Sequence, residues 1–131
     1  MPLKLDHTAF QVADINTAID FYQNVLGLKL MSKSIDEQHG EAFAFFELEG
    51  GNLELLQNLA ENDFQKPEIK QPFCPHVALG TEDLDQLAVD LQQRGIPIIK
   101  GPLEIEDMVK WLYIADPDNN IIEFVQWLKT L

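Results

Sequence analysis

Residues 69 positions apart in this chain match one another repeatedly. His7 pairs with His76, Ala9 with Ala78, Asp14 with Asp83, Glu54 with Glu123 and Gln57 with Gln126, at one offset and without a gap. Matches of several residue kinds, at equivalent points of two similar element orders, make an internal repeat the most economical account. A repeat of this length restricts the fold to two copies of one supersecondary unit, and the 131 residues leave no room for a second large domain.

The unit can be written out from local signals. Residues 3–12 read as a strand, and Asp14 is an N-cap for a helix with Ile15, Ala18, Ile19, Tyr22, Val25 and Leu26 on one face. Gly27 ends it. Residues 28–35 and 42–48 read as a hairpin around a polar turn, and Gly50-Gly51 leads into a strand over 52–57. Module one is therefore β-α-β-β-β over 1–58. A polar stretch over 59–72 lacks a period and reads as a linker.

The second module, 73–131, restarts the order. A strand over 73–79 comes first, then a helix capped by Asp83 with Leu84, Leu87, Ala88 and Leu91 on one face and Gly95 as its stop. A short strand over 96–100, a strand over 109–115 and a final strand after Asp116-Pro117-Asp118-Asn119-Asn120 complete it. The acidic run Glu104, Glu106 and Asp107 reads as a solvated loop, with a lid as the functional alternative.

Glu54 and Glu123 each sit in the middle of an apolar strand. An unpaired ionised group there costs several kcal/mol, so a partner, a hydrogen bond or a metal is expected. Strand alternation puts His7 on one side with Leu5 and Ala9, His76 with Cys74 and Ala78, Glu54 with Asn52 and Leu56, and Glu123 with Ile121 and Val125. The opposite sides carry Phe10, Val77, Leu79, Leu53, Leu55, Ile122 and Phe124, which suit packing under the helices. Two imidazoles and two carboxylates form a borderline-hard donor set for Ni²⁺, Co²⁺, Mn²⁺, Fe²⁺ or Zn²⁺. On an ion that prefers six ligands they leave two positions for water or a chelating substrate, an arrangement for Lewis-acid chemistry.

The net charge of −13 opposes binding to nucleic acid or anionic membrane and favours cations. A single cysteine, Cys74, allows no internal disulfide, so a reducing cytoplasm is the expected compartment. No apolar run approaches a membrane span.

The order His, Glu, His, Glu, one from the first and last strand of each unit, resembles the vicinal oxygen chelate superfamily across essentially the whole chain. His7-Thr8-Ala9-Phe10-Gln11-Val12, then Ala18-Ile19-Asp20-Phe21-Tyr22 and Val25-Leu26-Gly27, resembles the opening of glyoxalase I, and Asp116 to Asn120 before Ile-Glu resembles that family's closing turn. The resemblance implies an α+β fold, two tandem β-α-β-β-β modules in one domain forming a cup-like, eight-stranded mixed sheet with helices outside. It implies that His7, Glu54, His76 and Glu123 bind one divalent metal ion, with Glu54 and Glu123 also as candidate bases. The implied activity is that of a metal-dependent lyase or isomerase, working on a small α-hydroxycarbonyl compound through a metal-stabilised enediolate. A homodimer is implied as well. Two alternatives belong to the same superfamily: a non-catalytic binding protein of the bleomycin-resistance type, and a non-haem iron extradiol-type dioxygenase, whose chemistry a fourth protein ligand would obstruct.

One departure bears on the substrate. Gln11 stands where glyoxalase I usually has an arginine for the glutathione carboxylate, and Arg94, at a helix end, is the only arginine. Lys33, Lys100 and Lys110 are candidate substitutes. Of the remaining residues, His39 reads as a solvated loop histidine and Cys74 as a small buried hydrophobe. Phe43, Phe45, Phe46, Trp111 and Tyr113 divide between core and pocket lining, and Trp127 and Leu128 are candidates for covering a sheet edge or a dimer contact.

Overall fold

The computed structural model describes residues 1–60 and 63–130, so part of the expected linker, residues 61 and 62, lies outside the described residues. The chain divides into two units, Met1–Lys66 and Pro67–Leu131. Unit 1 contains β1 (His7–Gln11), α1 (Ile15–Asp20), β2 (Lys29–Asp36), β3 (Glu41–Glu47) and β4 (Asn52–Asn58). Unit 2 contains β5 (His76–Gly80), α2 (Leu84–Gln93), β6 (Lys100–Ile105), β7 (Val109–Ala115) and β8 (Ile121–Trp127). Each unit is one four-stranded mixed sheet, ordered β1-β4-β3-β2 and β5-β8-β7-β6. In both, the first and last strands pair in parallel and the others antiparallel.

The repeated residues explain why each helix starts where it does. Asp14 accepts from Thr17 N at 2.9 Å and Asp83 from Gln86 N at 3.0 Å, satisfying a free donor of the first turn. Gln57 Oε1 on β4 accepts from Ile15 N at 2.8 Å, and Gln126 Oε1 on β8 accepts from Leu84 N at 3.0 Å. The paired glutamines thus clamp the first helical amide of each unit to the strand that carries its central carboxylate. The chain entering each helix is tied to that strand too, by Val12 N to Leu56 O and Thr81 N to Val125 O, both 2.9 Å.

α1 packs on β3 and β4, and α2 on β6 and β8. Under α1 the sheet buries Phe10, Ala42, Ala44, Phe46, Leu53 and Leu55; in unit 2 it buries Leu112, Ile114, Ile122 and Phe124. The other face of each sheet carries the histidines and glutamates. Alternation of burial along β3, β4, β7 and β8 is the predicted pattern made visible.

Several boundaries differ from expectation. The first helix is α-helical only to Asp20; residues Phe21–Val25 widen into a π-turn, closed by Leu26 N to Phe21 O at 3.0 Å. Its Tyr22 is fully buried against Phe46. β5 begins at His76, not at Phe73, because Pro72 and Pro75 have no amide hydrogen to give a ladder. The sixth strand is Lys100–Ile105 in place of 96–100, so Glu104 pairs with Lys110 within a hairpin and is not part of a loop. Gly101 and Pro102 fit within it because β6 is an edge strand with an irregular register between Lys100 and Leu103, where proline and glycine are tolerated.

Candidate metal centre

β4 carries Glu54 beside Ala9, two positions along β1 from His7, and β8 carries Glu123 beside Ala78, two along from His76. In both units this brings imidazole and carboxylate together diagonally across a parallel pair. His7 Nε2 is 3.5 Å from Glu54 Oε1, and His76 Nε2 is 3.0 Å from Glu123 Oε1. Glu54 and Glu123 keep only 15% and 16% of their side-chain surface exposed, so both carboxylates are substantially desolvated. The structure joins the four candidates two by two. Among the described residues, no group of three or more His, Cys, Asp or Glu side chains is gathered as a ligand set.

The other nitrogen of each ring settles the tautomer. His7 Nδ1 lies 2.7 Å from Asp6 Oδ2, and His76 Nδ1 lies 2.6 Å from the carbonyl oxygen of Phe73. An ionised carboxylate and a carbonyl accept only, so each Nδ1 donates. In its neutral form each ring aims an Nε2 lone pair at a carboxylate oxygen, two electron-rich atoms facing one another, an arrangement that a cation or a proton between them relieves. An imidazole tied back through its other nitrogen is the usual support of a metal ligand. Ligands about 2.0–2.1 Å from an ion and at right angles lie roughly 3 Å apart, which the pairs match. On donor chemistry both pairs fit a divalent ion.

The Asp6 carboxylate on Nδ1 holds the His7 imidazolium above the usual histidine range, against the opposing effect of burial, and Glu54 adds to it. Asp6 is itself held below the usual carboxylate range by that hydrogen bond. Burial, then Glu123, pushes the Tyr113 phenol up, so it remains a neutral hydrogen-bonding group at neutral pH.

Aromatic rings frame each pair. Phe45 packs edge-on against His7 at 5.3 Å between centroids, and Tyr113 against His76 at 5.7 Å. Phe45 and Tyr113 are equivalent, each paired with its unit's glutamate. They are 68 residues apart, because the β3–β4 turn is one residue shorter than the β7–β8 turn, so a gapless offset of 69 misses them. Phe43, Phe45, Trp111 and Tyr113 line the ligand faces, whereas Phe46 is core. Cys74 is exposed, a correction to its reading as a buried hydrophobe; its Sγ lies 3.8 Å from His76 Nδ1. His39 is exposed and bonded to Asp36 at 2.7 Å. It borders a recess of about 270 Å³ with Gln11, Glu41, Leu56 and Asn58.

The family model for the Glyoxalase/Bleomycin resistance protein/Dioxygenase superfamily matches residues 4–124. The chain belongs to this superfamily. Its relatives include a metallothiol transferase of Lysinibacillus sphaericus, FosB, 31% identical over 122 residues, covering 92% of this chain and 79% of that one. A lactoylglutathione lyase of Neisseria meningitidis is 28% identical over 130 residues, covering 95% and 91%. Among solved structures, a glyoxalase family protein from Bacillus cereus superposes with a TM-score of 0.80 at 17% identity, covering 98% and 97%. The Leishmania major glyoxalase I, described as trypanothione-dependent, gives 0.74 at 24% identity, covering 95% and 87%. These confirm the α+β fold expected of the superfamily. No helix among the described residues is long and apolar enough to cross a membrane.

Proposed function

We propose that the protein is a metal-dependent lyase or isomerase of the glyoxalase I type, acting on a small α-hydroxycarbonyl compound. In this reading His7, Glu54, His76 and Glu123 are the ligands of one divalent ion, and Glu54 or Glu123 is the base. The observation that carries it is the opposed Nε2 and carboxylate oxygen in each unit, with Nδ1 tied back in both. A divalent ion, when bound, supplies a Lewis acid that polarises a carbonyl and offsets the charge created by deprotonation. The carboxylate takes the proton from the carbon beside that carbonyl, the C–H electron pair moves towards oxygen, and a proton returns either to the neighbouring carbon from the same carboxylate or to the opposite face from the other. The names borne by relatives, a lactoylglutathione lyase and a metallothiol transferase, support a site for a small molecule. Glutathione itself is disfavoured, since Gln11 lies in a recess with Glu41 and Asn58 that, among the described residues, no lysine or arginine lines. A homodimer in the reducing cytoplasm completes the reading.

The test is metal content after purification without added metal and after incubation with Ni²⁺, Co²⁺ and Zn²⁺. Stoichiometric metal is expected in the wild type, with loss in Glu123→Ala and His76→Ala. A wild type that takes up none of the three overturns the proposal. Turnover of the methylglyoxal–glutathione hemithioacetal then separates a true glyoxalase from an enzyme on another substrate.

A further inference from the structure

Unit 2 holds a recess of about 220 Å³ whose lining includes His76, Phe73, Cys74, Lys100, Trp111 and Tyr113. The sheet register explains its chemistry. Lys100 pairs with Tyr113 and Tyr113 with Glu123, so these residues form one row across β6, β7 and β8 on the ligand face. Neighbouring strands are about 4.8 Å apart, which separates the backbones of Lys100 and Glu123 by roughly 10 Å with the tyrosine between them.

Two lysines of the sheets, Lys33 and Lys100, bond to neutral amides; Lys33 is exposed and donates to Asn16 Oδ1, whereas Lys100 lines this recess. Lys29 is paired with Glu47, and Lys110 with Asp85 and Glu104. The Lys100 ammonium instead donates to the neutral amide of Gln71 at 2.7 Å and forms no ion pair among the described residues. In a chain of net charge −13, this is a cation held in a partly apolar recess without a carboxylate to neutralise it. Such a group gains most from an incoming anion, because a charge-assisted hydrogen bond is roughly twice as strong as a neutral one. Size limits the remainder of the ligand. An apolar cavity of about 150 Å³ holds benzene, and drug-sized ligands need about 300 Å³ or more. The recess therefore takes one ring, or a body of that size, with a small substituent.

We infer that this recess binds the far end of the substrate, a flat apolar body ending in a carboxylate or similarly small anion that Lys100 holds between the aromatic walls. The reacting end would then lie at His76 and Glu123. Only that last placement rests on the proposed function; binding in the recess stands apart from it.

Cys74, the only cysteine of the chain, lines the same recess and is exposed, so occupancy can be read without any activity. Chelator-treated full-length protein is alkylated with iodoacetamide in the presence of benzoate or its neutral counterpart benzamide, and the single adduct is followed by intact mass. Benzoate is expected to slow alkylation at concentrations on the order of millimolar, roughly ten-fold below those needed for benzamide. With protection expressed relative to each variant's own ligand-free alkylation rate, Lys100→Gln should abolish that preference and Lys100→Arg should restore it. Equal protection by the two probes, no protection by either, or a preference that survives in Lys100→Gln would overturn the inference. Because no metal is present, these outcomes are independent of the metal-content test: a protein may hold metal and fail here, or pass here and hold none.

Discussion

Gln57 and Gln126 show how a single side chain sets the relation of helix to sheet. Each gives its oxygen to the first helical amide, a partly buried donor that the helix cannot satisfy itself. Gln126→Ala should lower stability by about 1–2 kcal/mol, the cost of a donor left without its partner, seen as a lower urea midpoint at unchanged slope. Asp14 does similar work one residue earlier. Thr17 N and then its hydroxyl hold the Asp14 carboxyl below the usual carboxylate range. A carboxyl with a lower pKa folded than unfolded contributes stability above the unfolded value, and loses it as pH falls through the folded one. Asp14→Ala should therefore cost about 1 kcal/mol at neutral pH. The gap to the wild type should close as the pH falls below about 4 in denaturation series. The histidines are governed equally locally: Asp6 and the Phe73 carbonyl choose the tautomer, and so decide which nitrogen faces the glutamate.

At the scale of elements, β6 is the instructive case. Its Gly101 has φ 104°, and an added Cβ would stand 2.9 Å from Trp111 O and 3.0 Å from the Leu112 Cα. Both are backbone atoms of β7 that cannot move aside. Gly101→Ala should cost about 1–3 kcal/mol, whereas Gly80→Ala, where nothing lies within 4 Å, should be tolerated; thermal unfolding of the two variants side by side checks this. The same glycine made the strand hard to see, since Gly-Pro in sequence resembles a turn and only an edge position with an irregular register accommodates it. The π-turn after α1 was equally hidden. Its residues keep a helical period, and it is the burial of Tyr22 against Phe46 that accompanies the wider turn. The closing turn was legible because its chemistry is local: Asp116 accepts from the amides of Asp118 and Asn120 at 2.8 and 2.9 Å, and Asn119 takes φ 65°.

For the molecule as a whole, the metal reading has a thermodynamic consequence. An ion that binds only the folded state at 100 times its Kd adds about 2.7 kcal/mol of stability. Saturating Co²⁺ should raise the melting temperature of the wild type, and His7→Ala together with His76→Ala should remove the response. Equilibrium dialysis of the single variants reads the ligand set: one ion per four residues is lost by either substitution, whereas two independent pairs would each lose half. Much of this protein was legible in its sequence, because a repeat of 69 residues and strand alternation are properties of the chain order itself. They place His7, Glu54, His76 and Glu123 at equivalent points and set the glutamates opposite the buried faces of Leu53, Leu55, Ile122 and Phe124. What only tertiary structure decided depends on neighbours far apart in sequence. The equivalence of Phe45 and Tyr113 needed the turn lengths of two hairpins, and the meeting of Lys100 with Trp111, Tyr113 and Cys74 needed the register of four strands. No local period encodes these, since each is the outcome of hydrogen-bond ladders that close only when the sheet forms.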